Sequence, residues 1–337
     1  MRKIPVWCAA LILFLALSPA ARAEGPFLFK MGTLAPRGIG WAKAWEDILV
    51  PALSKATNGD LSWKVFYGGI MGDDEDYIKK IRIGQLQSAS ITGQGAILAC
   101  PEMTALELPF LFTDYGEVDY VRPFLYPVFE EMAARQGFKL LYWFEQDFDQ
   151  IYSLKRPMDC LAAFSRSRFV TWYGPVEEKV LSALGTKPIP VNGPEVPSAL
   201  RQGIVDAVIA PAIWVVGSQT YNILRYVNTM KIRYAPGLNV ISLDAWNSLP
   251  PGYRTAMEAT RKDALARFIA VTRKANADAL AAVVRYGLKE SWVTPGDMAA
   301  IRARCRPVWD ELAGHEFPPE ILERLEELLA EYRARKN

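Results

Sequence analysis

The spacing of apolar and polar positions changes period along the chain, and each change marks an element. FLFKMGTL (27–34) reads as a strand. GWAKAWEDILVPALSKATNG (40–59) puts Trp41, Trp45, Ile48 and Leu49 on one helical stripe and stops at Asn58-Gly59. DLSWKVFYGG (60–69) alternates as a strand and ends in a glycine pair. GDDEDYIKKIRIGQL (72–86) opens on carboxylates and continues as an amphipathic helix, and SASITG (88–93) is a strand again. This β-α-β-α-β order predicts a parallel lobe of the α/β type.

The middle of the chain repeats the alternation. FKLLYWFEQ (138–146), QIYSLK (150–155) and RFVTWY (168–173) read as strands, and PVEEKVLSALG (175–185) as a helix closed by Gly185. KPIPV is a short strand, EVPSALRQGI a helix and VDAVIAP another strand. After Leu249-Pro250-Pro251 the period is almost purely helical, with helices expected over about 253–287, 296–313 and 318–336.

The N-terminus is set aside from the fold. A basic MRK, a 14-residue apolar run and Ala21-Arg22-Ala23 form a secretory signal peptide over 1–23, with Glu24 as the expected mature start. The apolar run is too short for a comfortable bilayer span. Without its three cations the remainder carries 36 Lys+Arg against 37 Asp+Glu. That balance argues against a nucleic-acid partner and against polybasic docking to a membrane. The 314 residues left are long for one compact unit, so two lobes are expected.

Candidate chemistry is sparse. The only histidine is His315, near the C-terminus, which disfavours zinc chemistry and any Ser–His or Cys–His mechanism. Cys100, Cys160 and Cys305 lack metal-ligand spacing, and an odd number leaves at least one thiol free, with Cys100–Cys160 open as a disulfide. No cofactor and no metal are expected. GDDED (72–76) lacks the alternating ligands of a calcium loop and reads as a helix N-terminus. GTLAPRGIG (32–40) and TGQG (92–95) lie at strand ends, where open α/β sheets bind ligands. Trp172 and Trp214 each stand beside a strand terminus with Gly or Pro next to it, as pocket walls do. Trp41, Trp45 and Trp63 are equally consistent with core packing.

Several segments together carry a resemblance: GTLAPRG, YGGIMGDDEDYIKKIRIGQL, ELPFLF (107–112), ALGTKPIPV and EVPSALRQGIVDAVIAP, in that order. The series resembles the periplasmic solute receptors of tripartite ATP-independent periplasmic (TRAP) transporters, the DctP-like family, over roughly 28–250. The resemblance implies a two-lobed periplasmic-binding-protein-like α/β fold with a central cleft, crossing strands and a helical C-terminal region. Lobe I is expected over 24–148 plus roughly 236–255, and lobe II over 149–235 plus the helices of 256–337. It also implies a periplasmic receptor, not an enzyme, that takes a small organic ligand between its lobes and delivers it to a TRAP-type permease.

Members of the family hold organic acids through an arginine in a strand like DLKGLKIRV, a bidentate match for a carboxylate. Counted without gaps, that segment falls on AFSRSRFVT (163–171), and the clamp position is Val170. A two-residue slip would bring Arg168 there instead. The family's polar GvvDGxEn segment appears as GIVDAVIAP (203–211), with Ile209 and Ala210 at the polar positions. Both departures point to a ligand less acidic and more apolar than a dicarboxylate or sugar acid. The expected ligand contacts are Ala35, Pro36, Trp41 and Gln94 from lobe I. Lobe II adds Val170 or Arg168, Trp172, Pro211 and Trp214, with Gln150 as a polar orienter near the hinge. If Arg168 is not in the cleft, a carboxylate such as Asp149 is a candidate partner for it. PFLF is read as a strand–helix corner outside the site. The rival readings are a secreted hydrolase using carboxyls such as Asp73, Glu107 and Asp206, and a receptor of the same fold used for sensing.

Overall fold

A computed structural model describes residues 26–336. The signal peptide at 1–23 and the mature start at Glu24 lie outside the described residues. The first lobe is built on β1 (Phe27–Thr33), paired in parallel with β2 (Leu61–Phe66) on one side and β3 (Ser88–Ile91) on the other. Its crossovers are α1 (residues 40–56, with a π-helical turn at Trp45–Leu49) and α2 (Asp74–Arg82). The acidic run does what its position predicts. Asp73 caps α2, and Asp76 reaches back to the Asp73 N–H to complete a capping box.

Next come α3 (Gly93–Ala99), α4 (Tyr115–Arg135) and β4 (Phe138–Ser153). The segments 138–146 and 150–155 read from sequence as two strands; up to Ser153 they form one continuous strand. Then follow α5 (Leu161–Ser165), β5 (Val170–Thr171), α6 (Pro175–Ala183), β6 (Ile189–Pro190), α7 (Val196–Arg201), β7 (Ala207–Ala210) and α8 (Ala212–Gly217). A second long strand, β8 (Tyr226–Ser242), lies antiparallel to β4. The sheet order is β2-β1-β3-β8-β4-β7. One end of the β4–β8 ribbon is therefore sheet of the first lobe and the other end is sheet of the second. Register shifts at Leu140/Tyr142, Glu145/Asp147 and Asp149/Ile151 interrupt the regular pairing along the ribbon.

The expected strand 168–173 shrinks to Val170–Thr171, which pairs in parallel with β6, and one further bridge joins Phe169 to Ala207. The reason is a competing acceptor. One carboxylate oxygen of Glu177 takes the Thr171 hydroxyl and the Trp172 and Tyr173 N–H groups, so those two backbone N–H groups do not join a ladder.

The C-terminal region is helical as expected. After α9 (Leu243–Ser248), α10 runs over 251–286 without a break through a π turn at Arg261–Leu265. A short β9 (Lys289–Ser291) extends the β8 edge, followed by α11 (Pro295–Cys305), α12 (Pro307–Leu312) and α13 (Pro319–Lys336). These helices serve both lobes: α10 packs on α1 and on α8, α11 and α12 on α6, and α13 on α4. Cys100, Cys160 and Cys305 are all free, so the Cys100–Cys160 pairing is absent. His315 is exposed in the turn before α13. Among the described residues no helix is long and apolar enough to cross a membrane.

Candidate ligand-binding cleft

The ends of β1, β2 and β3 face β5, the 193–197 turn and α8 across a cavity of about 300 Å³. That is the lower end of the usual range for small-molecule sites. The first lobe supplies Thr33 to Pro36 from the end of β1, Trp41 and Trp45 from α1, and Thr92 to Gln94 from the end of β3. Phe144 and Gln146 come from the β4 ribbon, and Phe268 from α10. The second lobe supplies Trp172, Tyr173, Gly193, Pro194, Trp214 and Ser218. Trp172 and Trp214 form one tilted pair with ring centroids 4.9 Å apart, and the Trp172 indole N–H donates to the Ile209 carbonyl.

Of the residues expected from sequence, Ala35, Pro36, Trp41, Gln94, Trp172 and Trp214 are brought together here. Four are not. Val170 is fully buried in the second-lobe core with Val196, Leu200 and Val208, so a short side chain at the clamp position packs inward. Arg168 is exposed, and its Nε donates to Asp206 at 3.2 Å rather than pairing with Asp149. Gln150 is spent on its own strand, donating to the Phe148 carbonyl and accepting from the Tyr152 hydroxyl. Pro211 is buried, with its carbonyl accepting from Trp214 N and Val215 N to start α8. The segment 168–173 thus points Val170 into a core and Trp172 at the cleft.

Sequence reasoning missed Tyr67, Phe144, Gln146, Tyr173 and Phe268, and left Trp45 between core and cleft. Tyr67 and Tyr173 adjoin glycines at strand ends, a signal available in sequence. Phe144 and Phe268 lie in continuous apolar stretches with nothing to distinguish a cleft position from a core one.

Among the described residues lining the cleft there is no Lys, Arg or His. Arg37 stays on the rim, over the Tyr67 ring at 5.9 Å and 3.7 Å from Glu46. Arg233 lies behind the wall, its guanidinium 3.9 Å from the Tyr173 ring centre, and is matched by Asp149 at 2.7 Å and Glu177 at 3.3 Å. Glu107 completes this buried cluster, and burial pushes its carboxyl up to about 8, against the pull of the Arg233 guanidinium. The three carboxyls of the hydrolase reading do not converge. Asp73 is at the cleft, Glu107 is in the Arg233 cluster, and Asp206 binds Arg168 and Lys155.

Asp74, also at the cleft, is 4 % exposed. One of its oxygens accepts from the Thr92 N–H at 2.7 Å and from the Thr92 hydroxyl at 3.1 Å, and the other has no partner. Burial, helped by the neighbouring Asp73, pushes it up to about 8. The unfolded chain loses this proton near 4. The folded protein therefore binds more protons between about pH 4 and pH 8, and this group's contribution to stability falls as pH rises through that window. Asp74→Asn, which copies the protonated acid, is expected to flatten the slope and raise Tm near pH 8. Thermal melts across that range check it; identical slopes in both proteins would contradict it.

A family model described as bacterial extracellular solute-binding protein, family 7 (DctP), matches residues 32–315. The chain belongs to the DctP family. It is 24 % identical over 318 residues to the C4-dicarboxylate-binding periplasmic protein DctP of Rhodobacter capsulatus, covering 90 % of this chain and 91 % of that one. The fold of this DctP-family receptor matches the sugar acid binding protein DctPAm from Advenella mimigardefordensis in complex with galactonate. There the TM-score is 0.85 at 20 % identity, over 92 % of this chain and 99 % of that one. It also matches a TRAP periplasmic solute binding protein from Ralstonia eutropha H16 with bound (S)-2-acetolactate. The TM-score is 0.83 at 22 % identity, covering 90 % and 99 %. The two-lobed TRAP-receptor fold and the receptor class, as opposed to an enzyme, follow from these matches together with the family.

Proposed function

We propose that this TRAP-type receptor works in the periplasm after export and captures a small apolar or aromatic molecule without a carboxylate. It passes that molecule to a TRAP-type membrane permease. The lobes are read as 26–148 with roughly 236–255, and 149–235, the helices of roughly 256–336 packing on both. The ligand contacts are Ala35, Pro36, Trp41, Gln94, Trp172 and Trp214, joined by Trp45, Tyr67, Phe144, Tyr173 and Phe268.

One observation carries the reading: a cleft walled by aromatic rings, with Asp73 and Asp74 in its lining and, among the described residues there, no cation to face a carboxylate. The relatives named above bind organic acids, and an anion placed here would be desolvated beside the Asp73 carboxylate with no counter-charge in the lining, a cost of several kcal/mol. Aromatic faces instead favour apolar and ring-bearing ligands by burial and edge or stacked contacts.

Calorimetric titration with indole, galactonate and succinate tests the class. Indole is expected to bind and to raise Tm, and the two acids to give neither heat nor stabilisation. Tighter binding of either acid than of indole would overturn the reading.

A further inference from the structure

Across the cleft mouth, one side chain of the first lobe holds the backbone of the second. Asp73 Oδ2 accepts the N–H of Gly193 at 2.9 Å, a contact spanning 120 positions of sequence. The other oxygen, Oδ1, accepts the Asp74 N–H at 2.7 Å as the cap of α2. Both carboxylate oxygens are thus engaged inside the protein, although the residue lines the cleft. The capping box with Asp76 fixes where the carboxylate points.

The partner position is shaped for this approach. A Cβ on Gly193 would sit 3.3 Å from Leu34 Cδ1 of the first lobe and 3.3 Å from Trp172 of the second, with Asp73 Oδ1 at 3.5 Å. Nothing larger than hydrogen fits there without moving one of them. Beside it, a Cβ on Gly69 would meet Pro194 at 3.0 Å. At the inner end of the seam Gly93, at φ +40°, brings α3 so near the second lobe that a Cβ would lie 2.8 Å from the Tyr173 carbonyl oxygen.

We propose that Asp73 is a closing clasp: its carboxylate, caught by the Gly193 N–H, holds the two lobes together over the cleft and positions Trp172 against the first lobe. Asp73 is then a positioning residue and not a ligand contact. A hydrogen bond from a neutral amide to a carboxylate is among the stronger ones, and here it exists only when the lobes are shut. It favours the closed arrangement by its full differential strength. The proposal rests on the reading of this cleft as the capture site between two lobes.

Two variants separate the clasp from the fold. Asp73→Ser keeps an N-cap for α2 but is too short to reach Gly193. Gly193→Leu keeps the N–H and places a wedge between Leu34 and Trp172. Both are compared with the ligand-free wild type by amide hydrogen exchange and small-angle X-ray scattering. The wild type is expected to protect the Gly193 amide and to scatter as a closed particle. In Asp73→Ser that amide is expected to exchange about tenfold faster or more, with α2 still protected. Both variants are expected to show a larger radius of gyration and a similar fold loss in indole affinity. An open wild type, or Gly193 protection and scattering unchanged in Asp73→Ser, would overturn the clasp. If the wild type ignores indole, the ligand reading fails and the clasp is still decided by exchange and scattering.

Discussion

Glu177→Ala is expected to destabilise the protein by roughly 3–5 kcal/mol, the cost of breaking a buried ion cluster from one side. Glu177 is 2 % exposed and does two jobs at once. Its Oε2 gathers the Thr171 hydroxyl, the Trp172 N–H at 2.9 Å and the Tyr173 N–H at 3.1 Å. Its Oε1 lies 3.3 Å from the guanidinium of Arg233, which is fully enclosed and has Asp149 as its other counter-charge. Removing the carboxylate leaves three donors without their acceptor and a buried cation short of one partner. The same change frees the loop that presents Trp172 and Tyr173, so ligand affinity falls with stability. Glu177→Gln, which keeps an acceptor for the backbone and loses only the charge, should lose less of both. Urea unfolding monitored by tryptophan fluorescence measures the difference. A loss below about 1 kcal/mol in Glu177→Ala would mean that the cluster does not hold the wall.

Trp172→Ala is expected to abolish most ligand binding while leaving the fold intact. The ring is only half-buried in its own core, sits 4.9 Å from Trp214, and faces the first lobe through the cleft. A truncated central aromatic at a binding site costs about 2 kcal/mol or more, or roughly thirtyfold in Kd and upward. Trp214 would lose its partner and repack into the space, so a smaller effect is expected from Trp214→Ala, whose side chain is also shared with the long-helix core. Titration with indole, alongside a melt of each ligand-free variant, separates binding from stability. Equal affinity in wild type and Trp172→Ala would remove this tryptophan from the site.

How much of this was readable beforehand depended on where the determining contact lies. The first lobe was legible because local periodicity, the Asn58-Gly59 stop and the capping acids all agree with the β-α-β-α-β path. The long crossing strand β8 was not. Lys231, Arg233, Pro236 and Gly237 interrupt its apolar pattern, and each is accommodated by tertiary structure. Arg233 is paired with Asp149 on β4, and Pro236 and Gly237 face Glu145 and Phe144 at an irregular register. The helix α4 was equally hidden, since Pro123 and Pro127 lie inside it.

The cleft shows the same division. Ala35, Pro36 and Gln94 could be placed because strand ends with glycines near them mark the crevice in this class of fold. Trp172 and Trp214 followed from aromatic residues beside chain-turning ones. Arg168 misled because its partner, Asp206, is 38 positions away and nothing local signals the pairing. Gln150 misled because alternation along a strand cannot show which polar group is already satisfied by its neighbours. The count put Val170 at the clamp position; the side chain is in the core, and among the described residues lining the cleft there is no arginine, which supports the ligand proposal.

The compound that the protein carries from its own cells decides between an apolar ligand and an organic acid. Protein taken from the native periplasm would be denatured, and the released small molecule identified and counted by mass spectrometry. An apolar or aromatic compound without a carboxylate, near one per chain, is expected. A sugar acid or dicarboxylate at that ratio would contradict it.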